Sequence, residues 1–249
     1  MFRRASLLAV AVALLGATAA HANTITLGNP LTNPSYFTSG FSGDGTLFNT
    51  RLIGGSDAAS PVDGTVTSWA VGRPDGGFSL RVMRQVGTDS YAAFAGDAQR
   101  QLVFDPAPSP PQPTSLPIKK GDLIALAEGG GTSLAQANTG SRVLLPSAAI
   151  VGGPAQSPFS TSDANNYVFN ATVRYCLVPN VIGKKEPAAR SALAAADCPV
   201  GQILKPKQKA KRKKAKFVRA TSVPAGTSVS DTTPIDLRFG KKPKKKKHA

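Results

Sequence analysis

From Thr24 to Tyr175 the apolar residues come in short runs separated by turn signals. Ile25 and Leu27 open the first run, and Leu47, Phe48, Leu52 and Ile53 follow the turn-rich Ser42-Gly43-Asp44-Gly45. Asp63-Gly64 is a tight-turn dipeptide. After it, Val66, Ser68 and Ala70 alternate with Thr65, Thr67, Trp69 and Val71. A second turn, Pro74-Asp75-Gly76-Gly77, leads into Phe78, Leu80 and Val82 alternating with Ser79 and Arg81. A period of two places one row in a core and the other in solvent. Tyr91 to Phe94, Leu102 to Phe104, Leu123 to Leu126 and Tyr167 to Tyr175 extend the series, and no window has a helical period. Many short strands at regular spacing predict an antiparallel β-sandwich or jelly roll over residues 23–175.

Two stretches break the pattern. Pro106 to Pro117 carries six prolines, and a proline has no N–H to give a sheet, so this stretch is expected to be a surface loop. Gly129 to Pro158 is rich in Gly, Ala, Ser and Pro, and its pattern assigns it no element.

The pattern changes after Cys176. Val178 to Lys184 is extended and ends in a turn at Gly183. Pro187, suited to the first position of a helix, precedes Ala188 to Ala196, an alanine-rich helix with Ala189, Leu193 and Ala196 on one face. Val200 to Leu204, Phe217 to Thr221 and Ile235 to Phe239 read as strands, with a turn at Pro224-Ala225-Gly226-Thr227.

Charge divides the chain at the same place. The net +16 hides 11 basic and 10 acidic residues in 1–175, against 19 basic and 4 acidic in 176–249. At the other end, Arg3 and Arg4, an apolar run from Leu7 to Ala20 and Ala20-His21-Ala22 read as a signal peptide over 1–22. Cleavage is expected between Ala22 and Asn23, with no transmembrane anchor afterwards, since no later stretch has the roughly 20 apolar residues a membrane helix needs. In an exported chain the two cysteines, Cys176 and Cys198, usually oxidise to a disulfide, free thiols being the alternative.

Candidate chemistry is sparse. The two histidines, His21 and His248, lie in the expected leader and the tail, which removes histidine-based nucleophilic catalysis and histidine-ligated zinc. Asp44, Asp63, Asp75 and Asp122 stand beside glycine, where aspartate stabilises turns. A glycosidase pair drawn from these, or from Asp97, Asp105 and Glu128, has no supporting spacing. Trp69 with Tyr36, Phe41 or Tyr91 offers a sugar-stacking platform, but a lone tryptophan in a sandwich is more often core. No catalytic residue, metal site or cofactor is expected.

Two resemblances add to this. Ser60 to Trp69, Phe78 to Arg84 and Leu116 to Leu126 are together similar to an extracellular β-sandwich segment of secreted actinobacterial proteins, which implies an accessory or adhesive role. The order Val178-Pro179-Asn180-Val181-Ile182-Gly183-Lys184, then Ala189-Arg190 with Leu193, then Val200-Gly201, then Pro224-Ala225-Gly226-Thr227 resembles a PASTA domain over residues 176–240. That resemblance implies one helix on a three-stranded sheet and a non-catalytic binding role, in some members towards peptidoglycan fragments or β-lactams. Glu186 stands where the family usually has leucine, and Cys198 where it has an aliphatic residue. A Cys176–Cys198 bridge closing a loop of this size contributes about 3 kcal/mol, offsetting the missing leucine.

Lys205 to Arg219 holds nine basic residues and Lys241 to Lys247 six. Without aromatic interleaving or an apolar stripe they are neither a base-stacking platform nor an amphipathic membrane helix. Runs of like charge act as interaction tails. Lys207, Lys209, Lys211, Arg212, Lys213, Lys214 and Lys216 in the loop 205–216, with the tail 241–249, are therefore the candidate sites for anionic polymers. The expected partners are cell-wall peptidoglycan or anionic wall polymers outside the cell, with extracellular DNA ranked second. The leader disfavours intracellular nucleic acid. A secreted carbohydrate-active enzyme or a structural surface protein are the alternatives, and the pattern leaves the oligomeric state open.

Overall fold

The computed structural model describes residues 23–32, 37–206 and 216–240. In chain order the strands are β1 (Asn23–Gly28), β2 (Phe37–Phe41), β3 (Asp44–Arg51), β4 (Gly64–Val71), β5 (Gly76–Gly87), β6 (Ser90–Gly96) and β7 (Arg100–Leu102). Then come β8 (Gln112–Ile118), β9 (Leu123–Gly129), β10 (Thr132–Ala137), β11 (Ser141–Leu145), β12 (Ser160–Ser162), β13 (Asn166–Tyr167) and β14 (Phe169–Leu177). The helix α1 (Glu186–Ala194) precedes β15 (Val200–Leu204), β16 (Phe217–Thr221), β17 (Ser228–Ser230) and β18 (Ile235–Gly240). The described chain is mainly β with one helix.

One antiparallel sheet has the order β1-β14-β4-β8, and a larger one runs β12-β11-β3-β9-β5-β6 with β7 also on β5. Val66, Trp69, Phe169 and Val173 of the first sheet meet Leu47, Phe78, Leu80 and Leu126 of the second in a single buried cluster. Strict alternation along β4 would send Val66 and Trp69 to opposite faces. The register shifts between Val66 and Ser68 against β8, and between Thr172 and Val173 against β14. Such a bulge inserts one residue and resets the phase, so Val66, Trp69 and Val71 all enter the same core.

Three expectations are corrected. The proline-rich stretch is a loop only as far as Pro111; from Gln112 it is the edge strand β8, with Pro113 opposite Ser68 and Pro117 opposite Thr65. An edge strand tolerates proline because one side of it needs no donors. The second row of β5 is not in solvent: Ser79 is buried, and Arg81 donates to the carbonyls of Ala149 and Asp97. The cause is the Gly129–Pro158 stretch, which forms β10 and β11 and then covers the outer face of the large sheet. There Ala149 joins Phe48, Met83, Tyr91 and Ala125 in a second core. Finally, Val103 and Phe104 lie beyond the end of β7 and are exposed.

The C-terminal unit places α1 against a three-stranded sheet of order β15-β18-β16. Ala189 and Leu193 of the helix, Val218 and Leu237 of the sheet and both cysteines form its core. Cys176 and Cys198 are joined in a disulfide, their Cα atoms 5.0 Å apart. Glu186, at the position of the missing leucine and the first residue of α1, pairs with Arg190 one turn on and with Lys205.

No linker separates the two units. Strand β14 continues past Tyr175, and its last residues pair with β17: Tyr175 with Ser230, Cys176 with Val229 and Leu177 with Ser228. Asp231, next in the chain, accepts hydrogen bonds from Thr65 Oγ1 of β4 and Arg174 Nε of β14. The disulfide thus sits where the two units share a strand. Replacing both cysteines by alanine is expected to lower the unfolding free energy by about 3 kcal/mol, read as an earlier urea midpoint with the far-ultraviolet spectrum unchanged before the transition.

Candidate functional site

Of the seven basic residues assigned to anionic polymers, Lys216 is described and exposed, directly ahead of β16. Lys207, Lys209, Lys211, Arg212, Lys213 and Lys214 lie outside the described residues, as do the leader with Ala22 and the tail 241–249. Asn23 opens β1 opposite Tyr175.

The frame that carries these basic runs is described. Strand β15 runs parallel to β18, with Leu204 beside Arg238, while β16 is antiparallel to β18, with Phe217 facing Gly240. The residues flanking both runs, Lys205, Lys216 and Gly240, are therefore at one end of one sheet. Lys184 and Lys185 join them, since the Val218 amide donates to the Lys184 carbonyl and Lys185 bridges to Phe217. Arg219 lies over Gly240, where an added Cβ would come within 2.5 Å of its Cγ. Exposed lysines 184, 185 and 216 thus share an edge with the start of the tail. Sequence reasoning found the two runs but not Lys184 and Lys185, and not the convergence, which depends on the parallel pairing.

Asp63, Asp97, Asp105 and Asp122 accept hydrogen bonds through their carboxylates. Asp97 accepts from Trp69 Nε1 at 2.8 Å and from the Leu80 amide at 2.7 Å. Asp122 is gripped by Arg84 through Nε and Nη2 and accepts from the Lys119 amide. Asp63 accepts from the Lys120 amide and Asp105 from that of Ala107. Asp75 pairs with Ser133 through its backbone. Trp69 is buried in the core and Tyr91 in the second one, so neither presents a stacking face; Tyr36 lies outside the described residues. Among the described residues no cluster of three or more His, Cys, Asp or Glu could hold a metal, and no helix is long and apolar enough to cross a membrane.

Glu128 differs from the other acids. It sits at the end of β9 opposite Gly45 and Phe78 and is only 3% exposed, yet it lines a cavity of about 410 Å³ with Gly40, Phe41, Asp44, Leu144 and Phe159. Thr132 Oγ1 donates to its Oε2. Burial pushes its carboxyl up to about 7, the Thr132 hydroxyl acting against this and the negative charge of Asp44 adding to it. The folded chain then holds a proton that the unfolded chain releases at lower pH, so Glu128 favours the unfolded state as pH rises. Relative to Glu128→Gln, wild-type stability is expected to decline by roughly 3 kcal/mol between about pH 4.5 and pH 7 and to level off above. Urea unfolding of both proteins across that range measures the difference.

Comparison with curated proteins and with solved structures finds no match to the chain. Comparison with protein families finds one, to the PASTA domain, over residues 177–241. The match begins at the end of β14 and takes in α1 and β15 to β18, the unit whose core contains the disulfide. The C-terminal unit of this protein is a PASTA domain.

Proposed function

We propose that this chain is an exported, non-catalytic binding protein of the cell envelope. PASTA domains are linked to peptidoglycan and β-lactam-type ligands and occur in extracellular or envelope proteins. The match over residues 177–241 is the observation that carries the reading. In this proposal residues 1–22 are a leader cleaved after Ala22, the disulfide suits an oxidising exterior, and the layered β unit is an accessory sandwich of jelly-roll type. The PASTA domain supplies contact with wall peptidoglycan. The basic residues at the end of its sheet add attraction to anionic wall polymers, an attraction that salt screens.

The non-catalytic reading is supported by the occupation of Asp63, Asp97, Asp105 and Asp122 in holding backbone and side chains together. A general acid or base must instead be free to meet a substrate.

Sedimentation with purified Gram-positive cell walls tests the proposal. The full-length protein is expected to be retained in low salt and largely released between about 50 and 500 mM NaCl, as screening shortens the reach of its charges. A variant with Lys207, Lys209, Lys211, Arg212, Lys213, Lys214 and Lys216 all changed to glutamine is expected to be retained more weakly and to be released at lower salt. Absence of retention in low salt would reject wall binding, and equal retention of the variant would reject the role given to the lysines.

A further inference from the structure

The cavity at Glu128 has no part in the reading above. It opens at the end of the β unit, where β2, β3, β9 and β11 come together. Its floor is a carboxyl group almost wholly removed from water, with Oε2 taken by Thr132. Oε1 lies beside Gly45, where an added Cβ would come within 3.0 Å of it. A carboxyl recessed in a cavity is open to hydrogen bonding by water or a ligand that enters there.

The walls point to what that ligand is. Phe159 is 75% exposed at the rim, although its backbone is held in place by a 2.8 Å hydrogen bond from its amide to Leu144. Phe41, half-buried, stands edge-on to Tyr167 on another side. Gly40 and Gly43 line the cavity without side chains. An exposed aromatic ring on a held backbone, beside a recessed carboxyl, suits a molecule with an apolar C–H face and hydroxyl edges. A protonated carboxyl both donates and accepts, as a hydroxyl does. Anions are disfavoured by Asp44 at the rim, and two carboxyl groups are too few for a protein-made cation site.

We propose that this cavity binds a neutral pyranose unit of a polysaccharide, with Glu128 hydrogen-bonding its hydroxyls and Phe41 and Phe159 flanking its apolar face. The site belongs to the β unit, so it does not depend on wall recognition by the PASTA domain.

The charged or titratable groups facing Glu128 are Asp44 on β3, Tyr167 on β13 and Arg142, whose guanidinium lies 5.0 Å from the centre of the Tyr167 ring. Burial pushes Tyr167 up to about 12, so it does not titrate near neutrality. Glu128 then governs the pH dependence of binding around 7.

Titration calorimetry of the full-length protein with chitotetraose, cellotetraose and maltotetraose tests the site. At least one is expected to bind about tenfold more tightly near pH 6 than near pH 8, the ratio given by loss of one proton from a group at about 7. Glu128→Gln, which keeps a donor and an acceptor, is expected to bind with a flat pH profile. Phe159→Ala is expected to bind at least tenfold more weakly; its ring is exposed, so the fold should be untouched even if a change at Glu128 disturbs it. No binding of any of the three sugars by the wild-type protein at millimolar concentration overturns the proposal. So does a sugar affinity that Phe159→Ala leaves unchanged, or a wild-type affinity that does not vary with pH.

Discussion

Strand β14 is hydrogen-bonded on both sides along most of its length, to β1 on one edge and β4 on the other. At Tyr175 it passes from one unit to the next without a break, and the chain that pairs with it there is β17 of the PASTA domain. A flexible connection would let the domain sample many orientations at little cost. A shared ladder does not, because turning the domain would break the pairing of residues 175–177 and pull Asp231 away from Arg174 and Thr65. Cys176 lies inside this stretch, so the disulfide fastens the end of α1 to the strand that both units use. The orientation of the basic edge relative to the β unit therefore follows from backbone hydrogen bonds rather than from the surface charges themselves.

Carboxylates have a similar joining role elsewhere. Asp97 ties the core indole of Trp69 to the backbone of β5, and Asp122 ties Arg84 of β5 to the turn before β9. Each links segments distant in sequence, and each is largely buried, where a charge must be paired or hydrogen-bonded. Asp97 and Asp122 are taken up in this way, while Asp44, Asp57, Asp75, Asp89, Asp105 and Asp163 of the same unit are exposed. Glu128 departs from this pattern because it is buried with a hydroxyl partner and without a paired cation, and its burial raises its proton affinity.

The parts that were legible in the sequence were those in which side-chain pattern alone decides structure. The alternation in β5, the short runs of β1, β6 and β9, and the helix followed by three strands of the C-terminal unit could all be read from residue spacing and turns. The bulge in β4 could not, since Thr67 looks like any polar residue of an alternating strand and the shift shows only against its partners. Strand β10 was hidden because small residues carry little hydrophobic signal, although Ala135 and Ala137 are buried, and the short Val143-Leu144-Leu145 run of β11 was hidden by the Gly, Ala and Ser around it. Strand β8 was hidden by its prolines, and β17 by being three residues long with its partner in the other unit. Glu128 was visible only as one acid among several, because nothing in its neighbours along the chain marks its burial.

The same distinction applies to the loop 205–216 and the tail 241–249, which are separated by the three strands β16, β17 and β18 in the sequence. A sheet that paired β15 and β18 antiparallel would have placed the end of β15 and the end of β18 at opposite edges. Parallel pairing, with β16 returning beside β18, instead brings Lys205, Lys216 and Gly240 to one edge. Like charges gathered at one edge repel one another, an effect that salt screens. An anionic polymer would relieve that repulsion at many residues together, and in the proposed function this gives the topology of the PASTA sheet a direct effect on the strength and salt sensitivity of wall binding.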